Sequence, residues 1–496
     1  MPCHPLLLAL AVLLLLAPPR AAAQSAATLY ALADQIDAIL DARDFENAYW
    51  GALIVDLETG RTLYARNAEN RFIPASTMKL YTTAAALDAL GPDFRYETRL
   101  YANGAVRGGT LYGSLVVRGS GDPSFGSRQV SPDLTRTFRQ WADSLLAQGI
   151  RRVTGPIVGD HSVFENEPYG EGWDWSNVVR AYGAESSGLQ FNEGTVELTV
   201  RGTAPGQRAA LSASPDYDYV TLVNQTTTSR GGGPQASVDR GLGDNVFTVS
   251  ASVPAGRTHR QRVAVSNPSR FFVATLVGVL RQAGIQVDGE AITVDEWDTF
   301  PRYETMTRVA TYRSPPLRAI INVTNSDSNN LYAEHLLRTV GAYGYRGREH
   351  AVGSVGAGAA AAEPFLRRIG VDPGTLRIAD GSGLSRLNRL TPLCLVAILQ
   401  AMHEHEDDAV REAFVRSLAV GGLTGTLRNR YASGRARGNV RAKTGFIRNV
   451  RTLSGYVTAA NGHTIAFALL CNDYTVPTAR VNRAQDAVVE LLANLR

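Results

Sequence analysis

The amino-acid sequence predicts an α+β protein in which one domain is assembled from both chain ends around a large β-rich insertion. Three observations predict it. Helical apolar spacing concentrates toward the two ends. The stretch 93–307 reads instead as short strands punctuated by Gly, Pro, Asn, Asp and Ser. Hairpin patterns occur near both termini and no internal repeat joins them. The 496 residues are 44% hydrophobic and 19% charged, which suits two to four domains with substantial cores and excludes disorder, collagen and a disulfide-stapled mini-domain. The net charge of +4 is spread along the chain without a basic block, so nothing points to a nucleic-acid groove.

Residues 1–23 read as a secretory leader. The unbroken Leu/Ala/Val run 6–16, about eleven residues, is too short to span a bilayer comfortably. A Pro-Pro-Arg break and Ala21-Ala22-Ala23 follow, which places cleavage after Ala23. No later stretch is long and apolar enough for a span, so the mature chain is expected to be exported, soluble and periplasmic or otherwise extracytoplasmic. Cys3 leaves with the leader. Cys394 and Cys471 sit in apolar surroundings that suit buried single thiols, with a disulfide open to them in an oxidising compartment.

After the leader, 28–44 has helical spacing through Leu29, Leu32, Ile36, Ile39 and Leu40. Stretches 49–56 and 62–66 flank Leu57-Glu58-Thr59-Gly60 as a β-hairpin, and Pro74 precedes a helical run to Leu90. One helix, 270–283, interrupts the insertion. Beyond Ser314, helices return at 328–342, 356–370, 392–403 and 410–419. A strand over 440–446, a hairpin of 450–458 and 463–470 turning at Asn461-Gly462, and a helix over 479–495 complete the chain.

Of 50 basic residues, 48 are Arg and two are Lys, Lys79 and Lys443. Arg stays charged in proteins, whereas a desolvated Lys readily turns neutral, so the two positions stand out chemically. Lys79 lies in Pro74-Ala-Ser-Thr-Met-Lys-Leu80, three residues after Ser76 at a predicted helix start. Positions i and i+3 share a helix face, so the Ser76 hydroxyl and the Lys79 amine come within hydrogen-bond reach. The helix N-terminus favours a neutral Lys79 and an anion forming at the serine. Lys443 lies in Arg441-Ala-Lys-Thr-Gly-Phe446, where strand alternation sends Lys443 and Gly445 to one face and Thr444 to the other, unless a local twist presents both. Each motif alone is weak. With only two lysines to place, both arising by accident is about a one-in-a-thousand event. The third element is Thr324-Asn-Ser-Asp-Ser-Asn-Asn330, whose Ser328 is expected to serve as a proton relay, as the cap of the following helix, or both.

Ser-x-x-Lys, Ser-x-Asn and Lys-Thr-Gly in this order form the signature of penicillin-binding proteins and serine β-lactamases. The mature chain resembles the D-alanyl-D-alanine carboxypeptidase/endopeptidases of the DacB type, the class C penicillin-binding proteins. Gly119-Ser-Gly-Asp-Pro-Ser124, Gly172-Trp-Asp-Trp175 and Asp380-Gly-Ser-Gly-Leu-Ser-Arg386 carry the resemblance further, as do the 252 residues between Ser76 and Ser328. It implies a penicillin-binding-protein/serine β-lactamase-like catalytic domain, an antiparallel sheet with flanking helices, formed by 24–92 and 308–496. Residues 93–195 with 286–307 would form an inserted domain, and 196–285 a second one nested in it.

The implied chemistry is acyl transfer on Ser76, with Lys79 as base. The resemblance puts the oxyanion on the backbone N–H groups of Ser76 and Phe446. Ser328 would pass a proton to the leaving amine, aided by Lys79 or Lys443, and Asn330 would bind the substrate amide or position Lys79. Lys443 and Thr444, followed by Gly445, would hold the terminal carboxylate of D-Ala. Arg386 and Arg448 match positions that approach the stem peptide in relatives. Where relatives carry an acidic residue that reads the third residue's amine, this chain has Asn177, with Asp174 nearby. Phe446 also departs from the commoner Ser or Thr. The implied partners are peptidoglycan stem peptides, with β-lactam antibiotics as covalent inhibitors; no cofactor or metal is implied.

Other features read as structural. His403-Glu-His-Glu-Asp-Asp408 reads as a solvated turn, the glycines at 231–233 as a loop, and Asp122 as a turn residue. No His-Glu-x-x-His or Gly-x-Ser-x-Gly supports a zinc peptidase or an α/β-hydrolase. Two other readings stay open: a β-lactamase-like or esterase hydrolase using the same serine, and a non-catalytic peptidoglycan-binding scaffold.

Overall fold

Strand segments rich in small and branched apolar residues, drawn from both ends of the chain, pair into one six-stranded sheet. Its order is Ala419–Val420, Arg441–Ile447, Val450–Thr458, Thr464–Asn472, Tyr49–Asp56, Arg61–Arg66, and every neighbouring pair is antiparallel. The computed structural model describes residues 26–344 and 352–496; the leader predicted at 1–23 lies outside them. Among the described residues no helix is long and apolar enough to cross a membrane.

Alternation gives this sheet two buried faces. Leu53, Val55, Ala466, Ala468 and Leu470 join the core formed with helices Met78–Leu90, Leu317–Ser326, Asn330–Tyr343, Val355–Arg368, Pro392–His403 and Asp408–Ser417. Ala52, Ile54, Ile465, Phe467 and Leu469 point the other way, against helices Ala26–Leu40 and Thr478–Ala493. Cys394 belongs to the first core and Cys471 to the second. Both are free, so the open disulfide is excluded. Burial pushes the Cys394 thiol up to about 12, which leaves it inert.

The insertion has its own hydrophobic core. A seven-stranded mixed sheet is built on the hairpin Glu97–Arg107 and Thr110–Arg118, with Thr307–Arg313 along its edge. Thr195–Arg201, Ala210–Ser214 and Thr258–Ala264 form a three-stranded sheet, and a four-stranded one lies within 221–254. The expected helix is present as Pro268–Gln282, but it is not the one helix of the region. Arg136–Ala147 is a second, burying Phe138, Trp141, Ala142 and Leu145 on one stripe. Helix Leu317–Ser326 is likewise not signalled by the sequence; its last residues, Thr-Asn-Ser, have the composition of a loop.

Candidate active site

The segment before Ser76 is tied to two central strands of the six-stranded sheet, Val450–Thr458 and Thr464–Asn472. The Ile73 N–H donates to Asn472 Oδ1 (2.9 Å), and the Thr452 hydroxyl donates to the Pro74 carbonyl (2.8 Å). Ala75–Thr77 then makes one 3-10 turn into helix Met78–Leu90. Ala75 is left-handed, with φ of 45°, a conformation that costs a non-glycine residue energy and persists only where its surroundings enforce it. Gly383 packs on this turn so closely that a Cβ there would lie 1.8 Å from the Ala75 carbonyl oxygen. Gly445 approaches from the other side, where a Cβ would lie 3.0 Å from the Ser76 nitrogen.

Ser76 is half-buried and Lys79 is fully buried. The Lys79 amine lies 3.1 Å from Ser76 Oγ, 2.7 Å from Asn330 Oδ1 and 2.7 Å from the Ser382 carbonyl oxygen. Burial lowers the Lys79 pKa to about 7, against the opposing pull of Asp380 and Glu334. The last two partners are acceptors only. A neutral amine satisfies them with its two N–H bonds, which leaves its lone pair for the Ser76 hydroxyl.

Ser382 is held by buried charge. Glu334 accepts from the N–H groups of Gly381 (3.1 Å) and Ser382 (2.9 Å), and pairs with Arg338 at 2.9 Å. Asp380 accepts from the N–H groups of Gly383 and Ser385, from Asn388 Nδ2, and from Trp173 Nε1 at 2.8 Å. These supports were not identified from the sequence. A carbonyl acceptor leaves no side-chain signature. Glu334 and Arg338, one turn apart in a mostly apolar helix, were the available signal.

The opposite wall carries Lys443, also fully buried. Its amine lies 2.8 Å from Ser328 Oγ and 2.8 Å from the Thr444 carbonyl. Burial, reinforced by the charges of Lys79 and Arg451, holds its pKa well below the usual lysine range. Thr444 Oγ1 hydrogen-bonds Thr426 Oγ1 at 2.8 Å. Val440 accepts from Gly421 N on the Ala419–Val420 side. Edge orientation alternates along a strand, so the N–H groups of Thr444 and Phe446 face that side too, where the short neighbour has ended.

The middle motif divides its tasks differently from the sequence reading. Ser328 is not the cap of helix Asn330–Tyr343. Asn329 is, accepting from the Tyr332 N–H at 3.1 Å. Ser328 adopts φ of 61° and keeps its hydroxyl for Lys443. Asn330 Oδ1 faces Lys79, while its Nδ2 donates to the Tyr182 carbonyl of the insertion (2.9 Å). The three motifs therefore form one cluster, linked through the adjacent residues 328–330.

The remaining candidates lie outside these contacts. Arg386 and Arg448 are exposed, and the Arg386 guanidinium donates to the Arg448 carbonyl. Asp174 is exposed and caps a short turn by accepting from Ser176 N (2.8 Å); the Ser176 side chain first, and then this backbone bond, keep its carboxyl below the usual range. Asn177 accepts from the Tyr182 hydroxyl (3.1 Å). Phe446 is 54% exposed. Asp122 accepts from Ser124 N and Oγ within its own turn.

A family model described as D-Ala-D-Ala carboxypeptidase 3 (S13) matches residues 32–495. The D-alanyl-D-alanine carboxypeptidase of Actinomadura sp. (strain R39) is 31% identical over 494 residues, covering 97% of this chain and 88% of that protein. The D-alanyl-D-alanine carboxypeptidase DacB of Haemophilus influenzae is 26% identical over 461 residues, covering 91% of each. The crystal structure of penicillin binding protein 4 (dacB) from Haemophilus influenzae superposes with a TM-score of 0.79 at 24% identity, covering 92% of this chain and 99% of that one; it shares the fold.

Proposed function

The chain belongs to the D-Ala-D-Ala carboxypeptidase 3 (S13) family, and from that membership we infer a serine-type D-Ala-D-Ala carboxypeptidase acting on peptidoglycan stem peptides. The observation that carries the mechanism is the buried Lys79 amine, with a pKa of about 7, set against the Ser76 hydroxyl. Ser76 Oγ attacks the carbonyl carbon of the D-Ala-D-Ala bond as its proton passes to Lys79. The oxyanion is received by the N–H groups of Ser76 and Phe446; one such donor is worth about 2.7–4 kcal/mol of barrier. Ser328, hydrogen-bonded to Lys443, passes its proton to the leaving nitrogen and regains one from Lys79 or Lys443, so that the proton taken from Ser76 ends on the departing amine. Lys443 and Thr444 bind the terminal carboxylate of the departing D-Ala. Water then takes the acyl group from Ser76.

Two extensions belong to the same reading. A cross-link ending in a D-centred peptide bond offers the same carbonyl and carboxylate, so the enzyme also acts as a D,D-endopeptidase. β-Lactams present a strained amide beside a carboxylate and acylate Ser76 as slowly released inhibitors. The leader would deliver the enzyme to the periplasm, where that substrate lies. Mass spectrometry of muropeptides before and after treatment, with Ser76→Ala as control, tests the two peptidase activities, and hydrolysis of penicillin by the same preparations is followed alongside. Loss of terminal D-Ala and of cross-linked dimers is expected from the wild type alone. Unchanged muropeptides would leave the scaffold reading, and rapid turnover of penicillin would favour the β-lactamase reading.

A further inference from the structure

Glu193 belongs to the insertion, far along the chain from every motif, yet its carboxylate reaches the active-site cluster. It is buried and left-handed, with φ of 57°, in the turn Asn192–Gly194. Its Oε2 accepts from Asn329 Nδ2 at 2.8 Å, and its Oε1 from the Ser127 hydroxyl at 2.8 Å. Arg262 lies 3.4 Å from Oε2 and supplies the countercharge. Ser127 in turn accepts from the Tyr332 hydroxyl (3.1 Å), on the first turn of the helix that Asn329 caps.

Asn329 is therefore fixed at both ends of its amide. Its oxygen caps the helix and its nitrogen is held by Glu193. The residue before it, Ser328, meets Lys443, and the residue after it, Asn330, meets Lys79. Rotation of Asn329 would move both contacts at once. We propose that Glu193 is a positioning residue for acyl transfer, through which the insertion sets Ser328 and Asn330 against the two lysines. The inference rests on the carboxypeptidase reading above.

The geometry assigns Glu193 no contact with the reacting atoms, so its loss should slow chemistry without removing the site. A displacement of about 1 Å can cost roughly 100-fold in rate, and Glu193→Ala is expected to lower kcat per titrated active site by about 10- to 100-fold, with KM changed less. Active sites are counted by labelled-penicillin incorporation at Ser76, so loss of folded protein lowers the count and not the kcat. Glu193→Gln keeps an acceptor for Asn329 and should retain most activity. Asn329→Asp keeps the cap but sets two carboxylates together, and should be slow. Adding Glu193→Gln to it restores a donor–acceptor pair and should recover activity. Unchanged kcat per titrated site in Glu193→Ala, or no recovery in the double variant, would overturn the proposal. Wild-type protein that takes up no penicillin and releases no D-Ala would instead overturn the carboxypeptidase reading, and this inference with it.

Discussion

The two walls of the cleft bury the same side chain and treat it in opposite ways. Behind Lys79 stand Asp380 and Glu334, carboxylates that partly offset the cost of burying an ammonium. Around Lys443 the charges that act on the amine are cations, Lys79 and Arg451. One wall supplies its own countercharge and leaves its amine near neutrality, where it exchanges a proton easily. Among the described residues no carboxylate acts on Lys443, and on the proposed reading an incoming carboxylate provides the countercharge. On the proposed reading, one residue type serves as base on one wall and as anion receptor on the other, both desolvated and set apart by the charges behind them.

The largest effect should come from removing the basicity of the first wall while keeping its charge. Lys79→Arg retains a cation for Asp380 and Glu334, but guanidinium does not deprotonate. Acylation of Ser76 by labelled penicillin should fall by about 10²–10⁴-fold, and a variant within threefold of wild type, about 0.7 kcal/mol of barrier, would remove Lys79 as proton acceptor. The same assignment sets the pH dependence. The neutral amine is the active form, so the acylation rate should fall about tenfold per pH unit below about 7 and level off above it. The folded pKa is depressed below the unfolded value, so the lysine's burial penalty is complete below about 7 and fades as pH rises toward 10.5.

On the second wall the expected effect is smaller and selective. Lys443→Met removes one charge-assisted contact, worth about 1.5–3 kcal/mol. The KM for a D-Ala-terminated peptide should therefore rise by about 10- to 100-fold. A peptide with an amidated C-terminus should lose much less. Equal losses for both would place Lys443 in the proton path through Ser328 and outside carboxylate binding. Carboxylate binding also raises the Lys443 pKa, so calorimetry in buffers of different ionisation enthalpy should show proton uptake.

The two lysines themselves were legible in the sequence because the chain carries no others. Hydrophobic periodicity likewise placed both hairpins and most helices of the body, since both faces of the sheet need apolar cover. What was hidden depends on distant backbone. The Ser382 carbonyl meets Lys79 from 303 residues away, and no residue type announces a carbonyl. The left-handed turn at Ser328 was equally silent, so the cap that Asn329 provides stayed open to the serine alongside the relay. Arg136–Ala147 escaped because its stripe is interleaved with Arg, Gln and Asp amid strand-like neighbours.

The smallest effect is expected at the mouth, where the comparison between walls ends. Asp174 lies beside Asn177, the position that the sequence resemblance implies for reading a cationic third residue, but its carboxylate already accepts from Ser176 N and lies within the field of Arg386. It is exposed, and water screens such charges to little net value. Asn177 is neutral and engaged with the Tyr182 hydroxyl. Asp174→Asn keeps the turn cap, because Asn caps as well as Asp, and removes only the charge. Its kcat/KM ratio between stem peptides with a cationic and a neutral third residue should change by less than about fivefold. A tenfold or greater loss confined to the cationic peptide would make Asp174 the specificity residue and give the mouth a countercharge of its own. A flat ratio means that recognition rests on the terminal carboxylate at Lys443, so that one wall both binds the substrate and positions its scissile bond for the other.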